Sequence, residues 1–358
     1  MLEKKLNELN IFALRDFARK TGVSSPTSKK KEQLIKEIIE ITTGKKSPNE
    51  QKSKQGRPPK VFDYNFASVF NSVETNQISS IQTLNQKAVE YEGDDVVTVA
   101  GWLEVVNNNA GILWVQKNLK NENYFVSSSV LQDYEVRMGD RIVASINVDE
   151  SQKVVKRIFS INDNPILKLP SKRKNYDEIN NVLPNRELQF NDENLNLLNV
   201  KIGENVYIYG TNNNQNTQTI IHLLNNVKTQ NKLYVNVSVA GKNQMFLSEL
   251  KNTENFISNI MDEIDVAKRI VTLAIERAKR ILEVGEDVVV AVDDMSSIYG
   301  IEKIGEMLMK NLASIAKETK GKGSITLLAV MPNSGFNQIE KLADKRLNIS
   351  NEKISVVE

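Results

Sequence analysis

The sequence predicts a multidomain chain of mixed class, part α+β and part α/β: a small N-terminal helical module, a small β-barrel and a C-terminal α/β core. Three changes of pattern predict it. Apolar residues recur at helical spacing up to residue 43, the period falls to two from residue 96, and strands alternate with helices from residue 200. A length of 358 residues accommodates two or three domains at roughly 100–200 residues each.

Composition excludes several functions. The 47 basic residues barely exceed the 45 acidic ones, so a uniformly basic coat for nucleic acid is ruled out and any basic site must be local. With no cysteine there is no disulfide framework, thiolate metal site or cysteine nucleophile. The single histidine, His222, excludes a multi-histidine metal centre; it lies near Leu223 and Leu224 on a helix and reads as structural. No apolar run approaches the ~18 residues of a membrane span, and Met1-Leu-Glu-Lys-Lys5 is not a signal peptide. The expectation is a cytoplasmic protein with no membrane partner and no bound metal.

In the module, residues 1–43, Leu6, Leu9, Phe12, Leu14, Phe17 and Ala18 form one helical stripe. Gly22–Ser28 breaks it, and Leu34, Ile35, Ile38, Ile39 and Ile41 form a second, with Ser28 and Glu32 suiting its start. Residues 44–92 read as a disordered linker, with a short helix near residues 78–89. Its first part, 44–60, holds Lys45, Lys46, Lys52, Lys54, Arg57 and Lys60 against Glu50 alone, a local charge of +5. Gly56-Arg57-Pro58 is similar to an AT-hook core, which lies in a minor groove; the plainer reading is a solvated spacer.

Residues 93–165 alternate. Val97–Val105, Ile112–Val115, Tyr124–Val126, Arg141–Ile146 and Val154–Ile161 are predicted strands, separated by turn residues such as Asn107–Asn109 and Gly139-Asp140. Five short strands in about 70 residues suit an OB-type barrel. Residues 176–358 alternate strand and helix. Strands are expected at 206–210, 233–239, 287–293 and 324–330, and helices at 217–226, 264–283 and 303–318, which makes a parallel α/β sheet.

The order of these parts, with particular residues, resembles bacterial transcription termination factor Rho over nearly the whole chain. Leu9–Gly22 and Lys31–Ile35 resemble the family's N-terminal helical module. Gly101-Trp-Leu-Glu104 is similar to its G-V-L-E, Phe125-Val-Ser-Ser-Ser-Val-Leu131 to its Y-V-S-P-S-Q-I, and Arg137-Met-Gly-Asp140 to its R-T-G-D. Tyr176–Ile179 and Leu183–Leu188 resemble the segment joining barrel to motor, and Ile270–Arg280 with Asp287–Asp293 resembles the helix and Walker B strand. The resemblance implies a RecA-like P-loop core, ATP with magnesium, single-stranded RNA and a hexamer.

The motor residues depart from that pattern. A P-loop needs glycines for close backbone approach, a lysine for the β/γ-phosphates and Ser/Thr for magnesium. Gly210-Thr-Asn-Asn-Asn-Gln-Asn-Thr217 keeps Gly210 and Thr217, but Gln215 replaces the second glycine and Asn216 the lysine. Val239 stands where the family has its catalytic glutamate, Ser297 where it has an arginine, and residues 347–354 lack the inter-subunit arginine. Gly210, Thr217 and Asp293 are therefore a vestigial nucleotide site, with no catalytic residue, no ATPase activity and no cofactor expected. Thr217 also reads as a cap for the helix after it.

For RNA, an OB-type barrel stacks bases on aromatic faces and tracks the backbone with cations. Ala110-Gly-Ile-Leu113 lacks the aromatics of the family's G-F-G-F-L. Tyr124, Phe125, Trp102 and Trp114 are the candidate faces, core packing being the alternative for both tryptophans. Lys117, Lys120, Arg137 and Arg141 are the candidate phosphate contacts. The leading expectation is a Rho-like RNA-binding protein linked to transcription termination but without ATP-driven translocation, acting as a homo-oligomer or with an authentic Rho. The alternatives are an active ATP-dependent terminator with an atypical P-loop, and a DNA-associated structural protein using the module and linker.

Overall fold

The computed structural model describes residues 6–7, 11–42, 45–46, 97–106, 110–117, 120–146, 153–165, 173–240, 243–302, 304–321, 323–332, 337–350 and 353–357. The linker reading over 47–92, including its helix at 78–89, lies outside them.

The N-terminal residues form a helix pair, α1 (Ile11–Lys20) and α2 (Lys31–Thr42). Their facing stripes bury Leu14, Phe17, Ala18, Leu34, Ile35, Ile38 and Ile41 together with Leu6. Ser28 does not start α2. It ends a 3-10 turn at Pro26–Ser28, and the helix begins three residues later at Lys31. Arg15 of α1 pairs with Asp133 at 3.1 Å, which ties the helix pair to the next domain.

That domain is an antiparallel sheet of β1 (Val97–Val106), β2 (Ala110–Lys117), β3 (Lys120–Ser127), β4 (Arg141–Ile146), β5 (Val155–Ile161) and the two-residue β6 (Asn164–Pro165), in the order β3-β2-β1-β4-β5-β6. A parallel bridge between Phe125 and Val154 brings β3 to the start of β5, so the sheet curls round on itself. Helix α3 (Ser128–Tyr134), capped by Ser127, connects β3 to β4 and drops Leu131 into the core. Strand parity sets that core. Leu103, Leu113, Tyr124, Val126, Ile142, Ala144, Ile158 and Ile161 point inward, and their sequence neighbours point out.

The C-terminal domain is a three-layer α/β arrangement. Its elements run β7 (Asn181–Val182), α4 (Glu193–Asn196), β8 (Asn205–Tyr209), α5 (Asn213–Asn226), β9 (Asn231–Val239), α6 (Asn243–Phe246), β10 (Glu254–Asn259), α7 (Ile264–Glu283), β11 (Asp287–Val292), α8 (Met295–Tyr299), α9 (Gly305–Ser314), β12 (Lys317–Thr319), β13 (Ser324–Met331), α10 (Asn337–Glu340), β14 (Lys345–Ser350) and β15 (Lys353–Val356). The main run of the sheet is β10-β9-β11-β13-β8-β14-β15, parallel up to β14, with β15 antiparallel to β14; β12 also pairs antiparallel with β13 and with β7. Every residue of β13 is buried, as expected of a central parallel strand covered on both faces. Helices α7 and α9 supply the apolar layer on one face, packed against Leu233, Val235, Val288, Val290 and Val292. Helix α5 with Phe190 and Leu195 covers the other, against Val206, Ile208, Tyr234, Val289 and Ala291. Among the described residues, no helix is long and apolar enough to cross a membrane.

Candidate functional site

In a parallel sheet, ligands enter at the carboxyl ends of the strands, where the loops diverge. Here that edge gathers the end of β8, the start of α5, β9 and the end of β11, with β13 between β8 and β11. Asp293 follows β11 and is 5% exposed. Its Oδ2 accepts from Thr217 Oγ1 at 2.9 Å and from Asn236 Nδ2 at 2.6 Å, while Asn236 also reaches Tyr234 Oη at 3.1 Å. Asp293 Oδ1 is buried without a partner. Burial raises the Asp293 pKa to about 6, against the lowering effect of its hydroxyl partners, and neighbouring Asp294 raises it further.

Thr217 is therefore not the helix cap. Asn212 fills that role, accepting from Gln215 N at 3.2 Å, and α5 starts at Asn213, four residues before the predicted 217. This places Thr217 one turn inside the helix, on the buried face it shares with Ile220, Ile221 and Leu224, and aims its hydroxyl at Asp293. Asn216 is 4% exposed and turns back: its Nδ2 donates to Gly210 O at 3.2 Å, and its Oδ1 has no partner. A Cβ on Gly210 would stand 2.0 Å from that Oδ1. The amide of Asn216 thus occupies the turn from Gly210, and residues 210–217 themselves include no lysine or arginine. Nearby, Asp294 caps α8, and Ser297 Oγ bonds both Asp294 and Ser238.

Of the three residues the sequence offered, Thr217 and Asp293 are hydrogen-bonded to each other, while Gly210 lies against Asn216; Asn236 and Tyr234 were not predicted. Tyr234 and Asn236 stand at i and i+2 of β9, on the face opposite Val235 and Val237, but the strand also carries Asn231, Lys232 and Ser238, so the sequence does not single them out. An open cavity of about 410 Å³, lined in part by Glu187, Lys228, Asn231 and Asp287, lies at the opposite edge of the sheet, away from this chemistry.

The barrel residues divide in three. Trp102 and Trp114 are cross-strand partners, and they do point out of the barrel, as their neighbours Leu103 and Leu113 point in. They point into the α/β domain, however. Trp102 Nε1 donates to Glu254 at 2.5 Å and its ring lies 4.6 Å from that of Phe256. Trp114 Nε1 donates to Glu104 at 2.7 Å with Arg269 over its ring at 4.4 Å. Both rings are half-buried and carry these contacts. Tyr124 is inside the barrel core with its hydroxyl on Glu122, and burial raises its pKa to about 12. Arg137 donates to Glu283 and to two backbone carbonyls, and Arg141 pairs with Asp163, so both guanidiniums are already engaged.

Phe125 is the remaining face. It is 49% exposed, its N–H donates to Lys153 O at 2.7 Å, and exposed Lys153 precedes β5 while exposed Lys156 and Arg157 lie on it, with Arg157 over the Phe159 ring. Lys117 closes β2, and its side chain lies outside the described residues, as does that of Lys120. Of the linker cations, Lys45 and Lys46 are exposed and Lys46 pairs with Glu37 at 3.1 Å. Lys52, Lys54, Arg57 and Lys60 lie outside the described residues. His222 is at the surface of α5, 3.7 Å from Asp192.

No known protein family and no curated protein matches the chain. Among solved structures, an ATPase from the type III secretion system of pathogenic bacteria is distantly similar, with 13% identity and a TM-score of 0.41. The similarity covers 48% of this chain and 58% of that one, so the chain spans little more than half the length of the protein it matches.

Proposed function

We propose that this is a Rho-like protein that binds single-stranded RNA in connection with transcription termination and does not translocate by hydrolysing ATP. In this reading the N-terminal sheet is an OB-type barrel and the C-terminal domain is a RecA-like core that has become a scaffold. The protein modulates termination by occupying RNA, as a homo-oligomer or beside an authentic Rho.

The observation that carries the reading is the plugged turn. Phosphoryl transfer depends on positioned cations and backbone amides around the phosphates. Here Asn216 fills the turn at Gly210, Gln215 puts a side chain where backbone would meet phosphate, and Asp293 sits buried with, among the described residues, no ion-pair partner. The residues present do not fit the phosphates of ATP. One contact favours a second reading, magnesium–nucleotide held without turnover: Thr217 Oγ1 on Asp293 Oδ2, a pairing that fits the metal end of such a site. RNA binding is supported by the exposed Phe125 ring beside the basic start of β5, a stacking face flanked by cations.

The test is RNA-stimulated ATP turnover by the full chain and its Asp293→Ala variant, with titration of cytosine-rich RNA, mixed RNA and AT-rich duplex over a range of salt. The expected result is no turnover above background and salt-sensitive binding of single strands. Phe125→Ala is expected to weaken that binding by about 1–3 kcal/mol. Turnover that Asp293→Ala abolishes overturns the reading, and preference for AT-rich duplex points to the DNA-associated alternative. Retention of labelled ATP and magnesium without turnover selects the second reading.

A further inference from the structure

Three of the residues that the sequence offered to RNA, Trp102, Trp114 and Arg137, lie at the seam between the barrel and the α/β domain. Arg277 of α7 is 2% exposed and forks onto Glu254 of β10, with Nη2 to Oε1 at 2.7 Å and Nε to Oε2 at 3.0 Å. Its Nη1 reaches across to Asn162 Oδ1 of the barrel at 2.6 Å. Asn162 then donates to Asp140 Oδ1 at 2.6 Å and also accepts from Arg141 N at 3.0 Å. Asp140 in turn is held by both Nη atoms of Arg173, at 2.8 Å each. Trp102 adds its bond to Glu254 from the barrel side.

The chain Glu254–Arg277–Asn162–Asp140–Arg173 therefore alternates acceptor and donor from the α/β domain through the barrel into the connecting segment. Asn162 is held at φ 51°, a left-handed conformation that asparagine tolerates. Burial alone would raise the Glu254 pKa, but the Arg277 charge and hydrogen bonds hold it below the usual range. The backbone is also in contact: a Cβ on Gly139 would lie 2.4 Å from Glu276 C and 2.6 Å from Arg277 N. Trp102, Trp114 and Met138 pack onto the same apolar cluster as α7 and α9.

We infer that this seam is a fixed clasp, with Arg277 and Asn162 as positioning residues, so that the barrel and the α/β domain unfold and move as one body. The inference rests on these contacts alone and stands whether or not the protein binds RNA. A buried ion pair that loses one member leaves the other uncompensated, so the seam fails as a unit rather than bond by bond.

The two tryptophans of the chain both lie at the seam, so their fluorescence reads it directly. The experiment is calorimetric unfolding of the full chain, alongside tryptophan emission, for wild type, Arg277→Met, Asn162→Asp and the milder Trp114→Phe. Wild type is expected to give a single transition of the barrel and the α/β domain, coincident with the emission change. Arg277→Met and Asn162→Asp are expected to split it in two, with emission moving to longer wavelength in the first step. Trp114→Phe keeps the bond from Trp102 to Glu254 and is expected to retain one transition, with Trp102 the sole emitter. Should both clasp variants prove too unstable to purify, the wild type and Trp114→Phe still decide. Two transitions in either, or water-exposed emission in native buffer, overturn the clasp in favour of a freely swinging barrel. A single coincident transition in Arg277→Met also overturns it.

Discussion

Asp293 is the one charged group among its immediate partners Thr217, Asn236 and Tyr234, and its protonation has a calculable sign. Its pKa rises from 3.8 in the unfolded chain to about 6 in the folded one. Below pH ~4 it is protonated in both states and costs nothing. As pH rises through 4 to 6 the unfolded state ionises first, and folding loses up to about 3 kcal/mol, constant above that window. Asp293→Asn is expected to be more stable than wild type by up to that amount at pH 8, with the gap closing by pH 4; denaturant titration at both pH values measures it. Glu254 works in the opposite direction, since its lowered pKa contributes stability that is lost as pH falls. For that reason the difference between variant and wild type is the quantity to follow. A gap that does not change with pH would exclude the ionisation account. The sequence brought Asp293 and Thr217 together only through the family resemblance, and it offered helix capping as the other reading of Thr217, which the structure gives to Asn212. Asn236 was not legible, because nothing in one sequence tells which face of a buried strand carries a polar partner.

At the scale of elements, the turn from β8 into α5 behaves as an interlocked pair of positions. Gly210→Ala must expel the Asn216 amide, which loses one hydrogen bond and leaves a buried polar group to resettle, an expected cost of about 1–2 kcal/mol. In an Asn216→Ala background the three atoms nearest that Cβ are gone and the same change is expected to cost less, so a double-mutant cycle on stability is expected to show coupling. Helix α7 was predicted over 264–283 and spans those residues, because a continuous amphipathic stripe fixes both its period and its length. The predicted helix over 303–318 is shorter. It runs from Gly305 to Ser314, where Gly305 lies against Tyr299 O with no room for a side chain, and the chain then turns into β12. β10 was missed altogether, since only Phe256, Ile257 and Ser258 of its six residues are buried and the rest reads as polar loop. The N-terminus of α5 was missed for a related reason: a run of asparagines has loop composition, yet one of them is the cap that starts the helix.

For the whole molecule, charge is concentrated rather than spread. Residues 44–60 carry +5 of a net +2, which leaves −3 for everything else. Deleting residues 1–60 is expected to weaken binding of any nucleic acid and to flatten its dependence on salt, by roughly one counterion for each phosphate that the linker cations no longer neutralise. An unchanged salt slope would make the linker a spacer only. The division of labour between barrel and α/β domain was less legible. Alternation leaves open whether Trp102 and Trp114 pack in the barrel core or leave it, and it is silent on whether water, a base or another domain lies beyond.

The approach of Gly139 to helix α7 has a consequence for how this architecture can be recombined. A barrel from another protein could not be exchanged into this chain as a cassette, because any residue larger than glycine at that corner would hold the two halves apart by the width of a side chain. A graft would need Gly139, Asp140, Asn162 and Trp102 carried over together. In this protein the boundary between barrel and α/β domain is therefore a poor cutting point for domain shuffling, in nature or at the bench.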